Sequence, residues 1–106
     1  MKNGLLTITL SFAGAQCYGA DAYESSVKPF LEKYCAVCHN PQAKAGSLDV
    51  TGFLKASGKQ AAADRRTWES IYEKLSTGQM PPKGALLPPG KELAPVLDWI
   101  EAQLGR

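Results

Sequence analysis

Cys35 and Cys38 stand three residues apart, and His39, the single histidine of the chain, follows at once. At a helix end, positions i, i+3 and i+4 share one face, with Cβ atoms about 5–6 Å apart. Two thiols placed this way reach the two vinyl groups along one side of a haem, while the adjacent imidazole reaches the iron. This is the Cys-x-x-Cys-His pattern of covalent haem attachment. Two other chemistries use the same atoms. A closed zinc site needs four ligands, and with no second Cys-x-x-Cys and no second histidine a carboxylate would have to complete the set. A redox dithiol needs thiols acidified at a helix N-terminus after a strand. Here the cysteines end a predicted helix, where the dipole disfavours a thiolate, and no strand pattern precedes them. One covalently bound haem c is therefore expected, held by thioethers from Cys35 and Cys38, with His39 as the proximal iron ligand.

The second axial position of the iron needs a further donor. Met80 is the only methionine besides the initiator, and it lies in Thr77-Gly78-Gln79-Met80-Pro81-Pro82. Gly78 allows a sharp turn, and the two prolines stiffen the chain around the thioether. A sulfur ligand favours ferrous iron and raises the reduction potential relative to two histidines. The alternative role for Met80 is filling a gap in the core. Met80 is expected as the distal iron ligand.

Three helices must position these residues. The first is predicted from about Ser26 to Cys38, with Val27, Phe30, Leu31, Tyr34 and Cys38 on one face. Ser25 or Ser26 caps it, and Pro29 falls within its first turn. The second runs from about Arg65 to Ser76, capped by Asp64. It carries an i, i+3, i+4, i+7 stripe of Trp68, Ile71, Tyr72 and Leu75 and ends at Gly78. The third spans about Lys91 to Leu104, with Pro95 expected to disturb its first turns. Residues 40–63 show no sustained period and read as a long loop, which wrapping around a cofactor would explain. Trp68 and Trp99 sit on apolar faces and are assigned to core packing. No alternating strand pattern is present, so the fold class is all-α.

At the N-terminus, Lys2 precedes an apolar, small-residue run from Leu5 to Ala15, and polar Asp21 and Glu24 follow. This is the outline of a secretory signal peptide, too short for a transmembrane helix of about 20 residues. Residues 1–20 are expected to be removed, with the mature start between Gln16 and Tyr23, leaving residues 21–106 as one small domain. Cys17 leaves with the signal or sits at the new terminus, where lipid attachment is a poor fit to Gly14-Ala15-Gln16. The 12 basic and 10 acidic side chains nearly cancel and form no basic block, which argues against nucleic acid as a partner. Lys28, Lys33, Lys44 and Lys83 read as a solvated surface rather than a docking ring.

Taken together, the motif ending the first helix, the Gly78–Pro82 loop and the closing amphipathic helix resemble the class I cytochrome c family. The closer resemblance is to the planctomycete-type cytochrome c domain. It extends through Ala45-Gly46-Ser47-Leu48-Asp49-Val50, Trp68 and Leu97-Asp98-Trp99-Ile100. It implies three main helices and long loops wrapped around one haem, with Cys35 and Cys38 carrying it and His39 and Met80 as its axial ligands. With the export signal, the expected protein is a monomeric, periplasmic single-electron carrier between exported redox proteins, with no membrane span after processing and no bond chemistry of its own. A haem enzyme or gas sensor is the alternative should Met80 be a labile ligand. Family members usually have a proline after the motif whose carbonyl orients the ligand imidazole. Pro41 is close to His39, and the hydrogen-bond partner of Nδ1 stays open at this point.

Overall fold

The computed structural model describes residues 22–106. The expected signal segment and Cys17 lie outside the described residues. Five helices and no strand are present among them, in agreement with the all-α class. A first helix, α1, is continuous through Tyr23–Val27, Lys28–Phe30 and Leu31–Cys35. A single 3₁₀ turn at Ala45–Ser47 precedes α2 (Thr51–Lys55) and α3 (Gly58–Ala62). The two long elements that follow are α4 (Arg65–Ser76) and α5 (Gly90–Leu104). No helix among the described residues is long and apolar enough to cross a membrane.

The first helix departs from its predicted bounds at both ends. The chain is already helical at Ala22, the first described residue, rather than from Ser26, so Ser25 and Ser26 are helical residues and not caps. The cause is tertiary. Tyr23 is fully buried, and its hydroxyl donates to the Phe53 carbonyl at 2.6 Å. With the earlier start, Pro29 falls inside the helix, where its ring would crowd the carbonyl four residues back. The turn before it is widened, the Lys28 N–H reaching back to the Tyr23 carbonyl. A second widened turn, closed by Ala36 N–H on the Leu31 carbonyl at 2.8 Å, ends the helix at Cys35. These i→i+5 turns shift the periodicity, so Cys38 lies beyond the helix and is exposed.

The predicted loop over 40–63 contains α2 and α3, a second correction. Each has five residues, too few to display an apolar stripe. The start of α3 is a capping box: Ser57 Oγ accepts from the Gln60 N–H at 3.1 Å, and Gln60 Oε1 accepts from the Ser57 N–H at 2.9 Å. In contrast, α4 has its predicted bounds, with Asp64 accepting from the Thr67 N–H. The last helix, α5, runs unbroken through Pro95.

Core packing joins the ends of the chain. Tyr23, Val27, Phe30 and Leu31 of α1 meet Val96, Trp99 and Ile100 of α5, and Trp68, Ile71 and Leu75 of α4 close the cluster. Both tryptophans are core residues, as assigned: Trp68 is 0% and Trp99 2% exposed. Their rings meet edge-on at 5.1 Å, and the Tyr23 ring packs on Trp99 at 4.9 Å. Polar ties run along the same seams. Tyr34 Oη donates to Glu92 Oε1 at 2.6 Å, joining α1 to α5, and Tyr72 donates to Glu101, joining α4 to α5.

Burial, with a smaller contribution from the nearby Glu24 carboxylate, pushes the Tyr23 phenol up to about 12. Its folded pKa lies above the unfolded value, so the linked stability is complete below pH 10 and is lost as pH rises towards 12. Tyr23→Phe removes the bond to Phe53 and is expected to cost about 1 kcal/mol at neutral pH. Between pH 10 and 12 that deficit should shrink, because the variant has no phenol to ionise. Urea unfolding at pH 7, 10 and 11 checks both; a deficit that stays constant would contradict the burial argument.

Candidate functional site

The Cys35–His39 segment forms one hydrogen-bonded turn appended to α1. The Cys35 carbonyl accepts from the Cys38 N–H at 3.1 Å and from the His39 N–H at 2.9 Å. The i, i+3, i+4 relation expected from the spacing is therefore kept by this turn rather than by the helix proper. The following chain folds back against it. Ala45 N–H donates to the Cys38 carbonyl at 3.0 Å, and Val50 N–H to the His39 carbonyl at 2.8 Å. The reversal between them passes through Gly46 and Ser47, both in the left-handed region at φ 63° and 64°. At Gly46 the absence of a Cβ removes the usual penalty of that conformation.

Met80 arrives from the other long element. The end of α4 is a Schellman motif: Gly78, at φ 76°, donates to the Leu75 carbonyl at 3.2 Å, and Gln79 to Lys74 at 2.9 Å. The Met80 N–H shares the Lys74 carbonyl at 3.1 Å. Gly78 thus acts as the predicted helix stop, and the turn fixes where Met80 leaves the helix.

One cavity of about 540 Å³ is lined by Cys35, Cys38, His39 and Met80 together. This is within the range of cofactor pockets, about 300–1,000 Å³. Leu48 and Val50 from the segment before α2, with Ile71 and Leu75 from α4, contribute apolar wall. The charged residues on the lining are Lys33, Arg66 and Lys74, all basic. An apolar macrocycle bearing anionic carboxylates matches such a wall and rim. His39 Nδ1 is buried and accepts or donates no hydrogen bond. The Pro41 carbonyl is accordingly not its partner, and the imidazole is not committed to a protein group through this atom. These observations fit the residues to a haem.

The alternatives to haem fare worse on the same geometry. Burial raises the Cys35 thiol to about 11, the opposite of the acidified thiol that a redox dithiol needs. Neither Cys35 nor Cys38 is in a disulfide. Among the described residues no group of three or more His, Cys, Asp or Glu side chains converges as a metal centre, so no carboxylate stands ready to complete a zinc site.

Sequence reasoning missed Asn40. Its side chain Nδ2 donates to the carbonyls of Ala36 and Val37 at 2.6 and 3.1 Å, while Oδ1 accepts from the N–H groups of Gln42 and Ala43 at 3.0 and 2.8 Å. An Asn two residues after the predicted helix end at Cys38 is a capping signal that was available. Asp49 was noted only as part of a resembling stretch. Its carboxylate accepts from Thr51 Oγ1 and N–H at 2.7 and 2.9 Å, which holds it below the usual carboxylate range and leads the chain into α2.

Residues 35–84 match the family model of the planctomycete cytochrome C. No curated protein and no solved structure matches the chain. The matched stretch contains Cys35, Cys38, His39, Asn40, the Ala45–Val50 return and Met80, which is to say most of the cavity lining and both segments that deliver donors to it. Residues 35–84 are therefore similar to the planctomycete cytochrome C family, a likeness that points to a haem-binding electron carrier.

Proposed function

We propose that the protein is a mono-haem c-type cytochrome that passes single electrons between exported redox proteins as a monomer in the periplasm. The observation that carries this reading is the convergence of Cys35, Cys38, His39 and Met80 on one largely apolar cavity. When bound, the haem supplies an iron that cycles between ferric and ferrous states. The chain does the rest. Cys35 and Cys38 hold the macrocycle through thioethers, which prevents its loss outside the cytoplasm. His39 and Met80 would hold the iron with two donors already in place, so little would rearrange on electron transfer. Leu48, Val50, Ile71 and Leu75 exclude water, and with the sulfur ligand this raises the reduction potential. Residues 21–106 form the mature domain, and residues 1–20 direct export and are removed.

Denaturing mass spectrometry of the protein from a host with cytochrome c maturation tests the reading. The expected mass is a chain starting between Gln16 and Tyr23 plus one haem. An unmodified chain would overturn the haem assignment. Retention of Met1 would replace the signal peptide by an anchor, and a diacylglycerol on Cys17 would make the protein a lipoprotein.

A further inference from the structure

We propose that Asn40 is a positioning residue that presents Cys38 and His39 to the incoming haem; this rests on the haem reading above. A helix end leaves carbonyls without intrahelical partners. At the end of α1 the Cys35 carbonyl is taken by Cys38 and His39 N–H groups. The next two carbonyls, those of Ala36 and Val37, belong to the pair of residues between the cysteines, and both accept from Asn40 Nδ2, at 2.6 and 3.1 Å. The other end of the same amide receives the Gln42 and Ala43 N–H groups. The network also fixes the orientation of the amide. Flipped, it would set its N–H₂ against two N–H donors and its oxygen against two carbonyls.

The four bonds do two separable jobs. The Nδ2 half closes the Cys35–His39 turn on itself, and the Oδ1 half starts the return towards Ala45. Cys35 needs neither, because it is the last residue of α1 and its place is set by the helix. Cys38 and His39 lie wholly on the clamped turn. The two thiols and the imidazole can meet three fixed points of a rigid macrocycle only if that turn is closed beforehand, since an open turn must lose backbone freedom of about 1–2 kcal/mol per residue during attachment.

Asn40→Asp separates the halves. Its carboxylate still accepts from Gln42 and Ala43, but it turns an oxygen towards the Ala36 and Val37 carbonyls. Asn40→Ala removes both. Each full-length variant is matured in cells beside the wild type, and alkylated, denatured protein is analysed for haem content and for free Cys38. Both variants are expected to carry haem on Cys35, with at least a several-fold rise in alkylated Cys38 among haem-bearing chains. A red shift of the reduced α-band in pyridine, the signature of one thioether in place of two, should accompany it. Full double attachment in both variants would overturn the proposal. So would double attachment in Asn40→Asp alone, because the turn-starting half would then suffice. Variants recovered without any haem would also overturn it, as Cys35 is placed by α1. Failure of the haem reading itself looks different, because the wild type would then carry no haem.

Discussion

Met80→Ala is expected to lower the reduction potential by on the order of 0.2 V, a fraction of the roughly 0.8 V that axial ligation spans. Three spectroscopic changes should accompany the drop. The weak near-infrared band of sulfur-ligated ferric haem should vanish, the iron should lose the second of its two protein ligands, and the ferrous protein should bind carbon monoxide. The reasoning is positional. Gly78 at φ 76° ends α4, the Lys74 carbonyl gathers the Gln79 and Met80 N–H groups, and the thioether then lines the cavity that holds His39. Alanine keeps this backbone, because Met80 itself has no left-handed φ, and so deletes the donor without moving the chain. The measurement also separates carrier from enzyme or sensor. Wild-type ferrous protein that binds carbon monoxide readily, with no near-infrared band, would put Met80 off the iron and favour peroxide or diatomic-ligand chemistry.

How much of this site could be read in the sequence depended on whether local signals agreed. They agree around α4: the Trp68–Leu75 stripe, Asp64 before it and Gly78 after it define the same element, and its bounds were recovered. Consistency of that kind is what a foldable segment shows. The Cys35–His39 spacing was legible because the chemistry constrains it, and Met80 because no methionine but the initiator and no second histidine competes. The rest depended on contacts or on elements too short to announce themselves. That α1 is helical ahead of Ser26 goes with burial of Tyr23, whose hydroxyl bonds Phe53 thirty residues away, and no local pattern encodes this. Five-residue helices such as α2 and α3 span little more than one turn, and the Ser57–Gln60 box was their one overt sign. The solitary Nδ1 of His39 depends on how the ring is turned, and ring orientation is a property of packing alone.

The core makes the second large prediction, Trp68→Ala. Trp68 is fully buried and ties three elements to α4: its ring meets Phe53 of α2 at 4.7 Å and Trp99 of α5 at 5.1 Å, and its Nε1–H donates to the Ala61 carbonyl of α3 at 2.8 Å. Truncation leaves a cavity, with a typical loss of about 3–5 kcal/mol. The Ala61 carbonyl also loses this donor, though it keeps the Asp64 N–H at 3.1 Å, so the lost bond adds about 1 kcal/mol. A small domain has about 5–15 kcal/mol in all, so most of the margin should disappear. Trp68→Phe retains much of the ring while deleting the N–H and should cost about 1–2 kcal/mol. Denaturant unfolding of the haem-loaded proteins measures both values. Because thioethers are covalent, a loaded Trp68→Ala chain keeps its haem by mass even when its unfolding midpoint collapses. A core defect is thereby distinguished from a defect at Cys35, Cys38 or His39. A loss below about 1 kcal/mol for Trp68→Ala would mean that the Phe53–Trp68–Trp99 stack does not hold α2 and α5 on α4, and that the cavity wall they brace is held by other contacts.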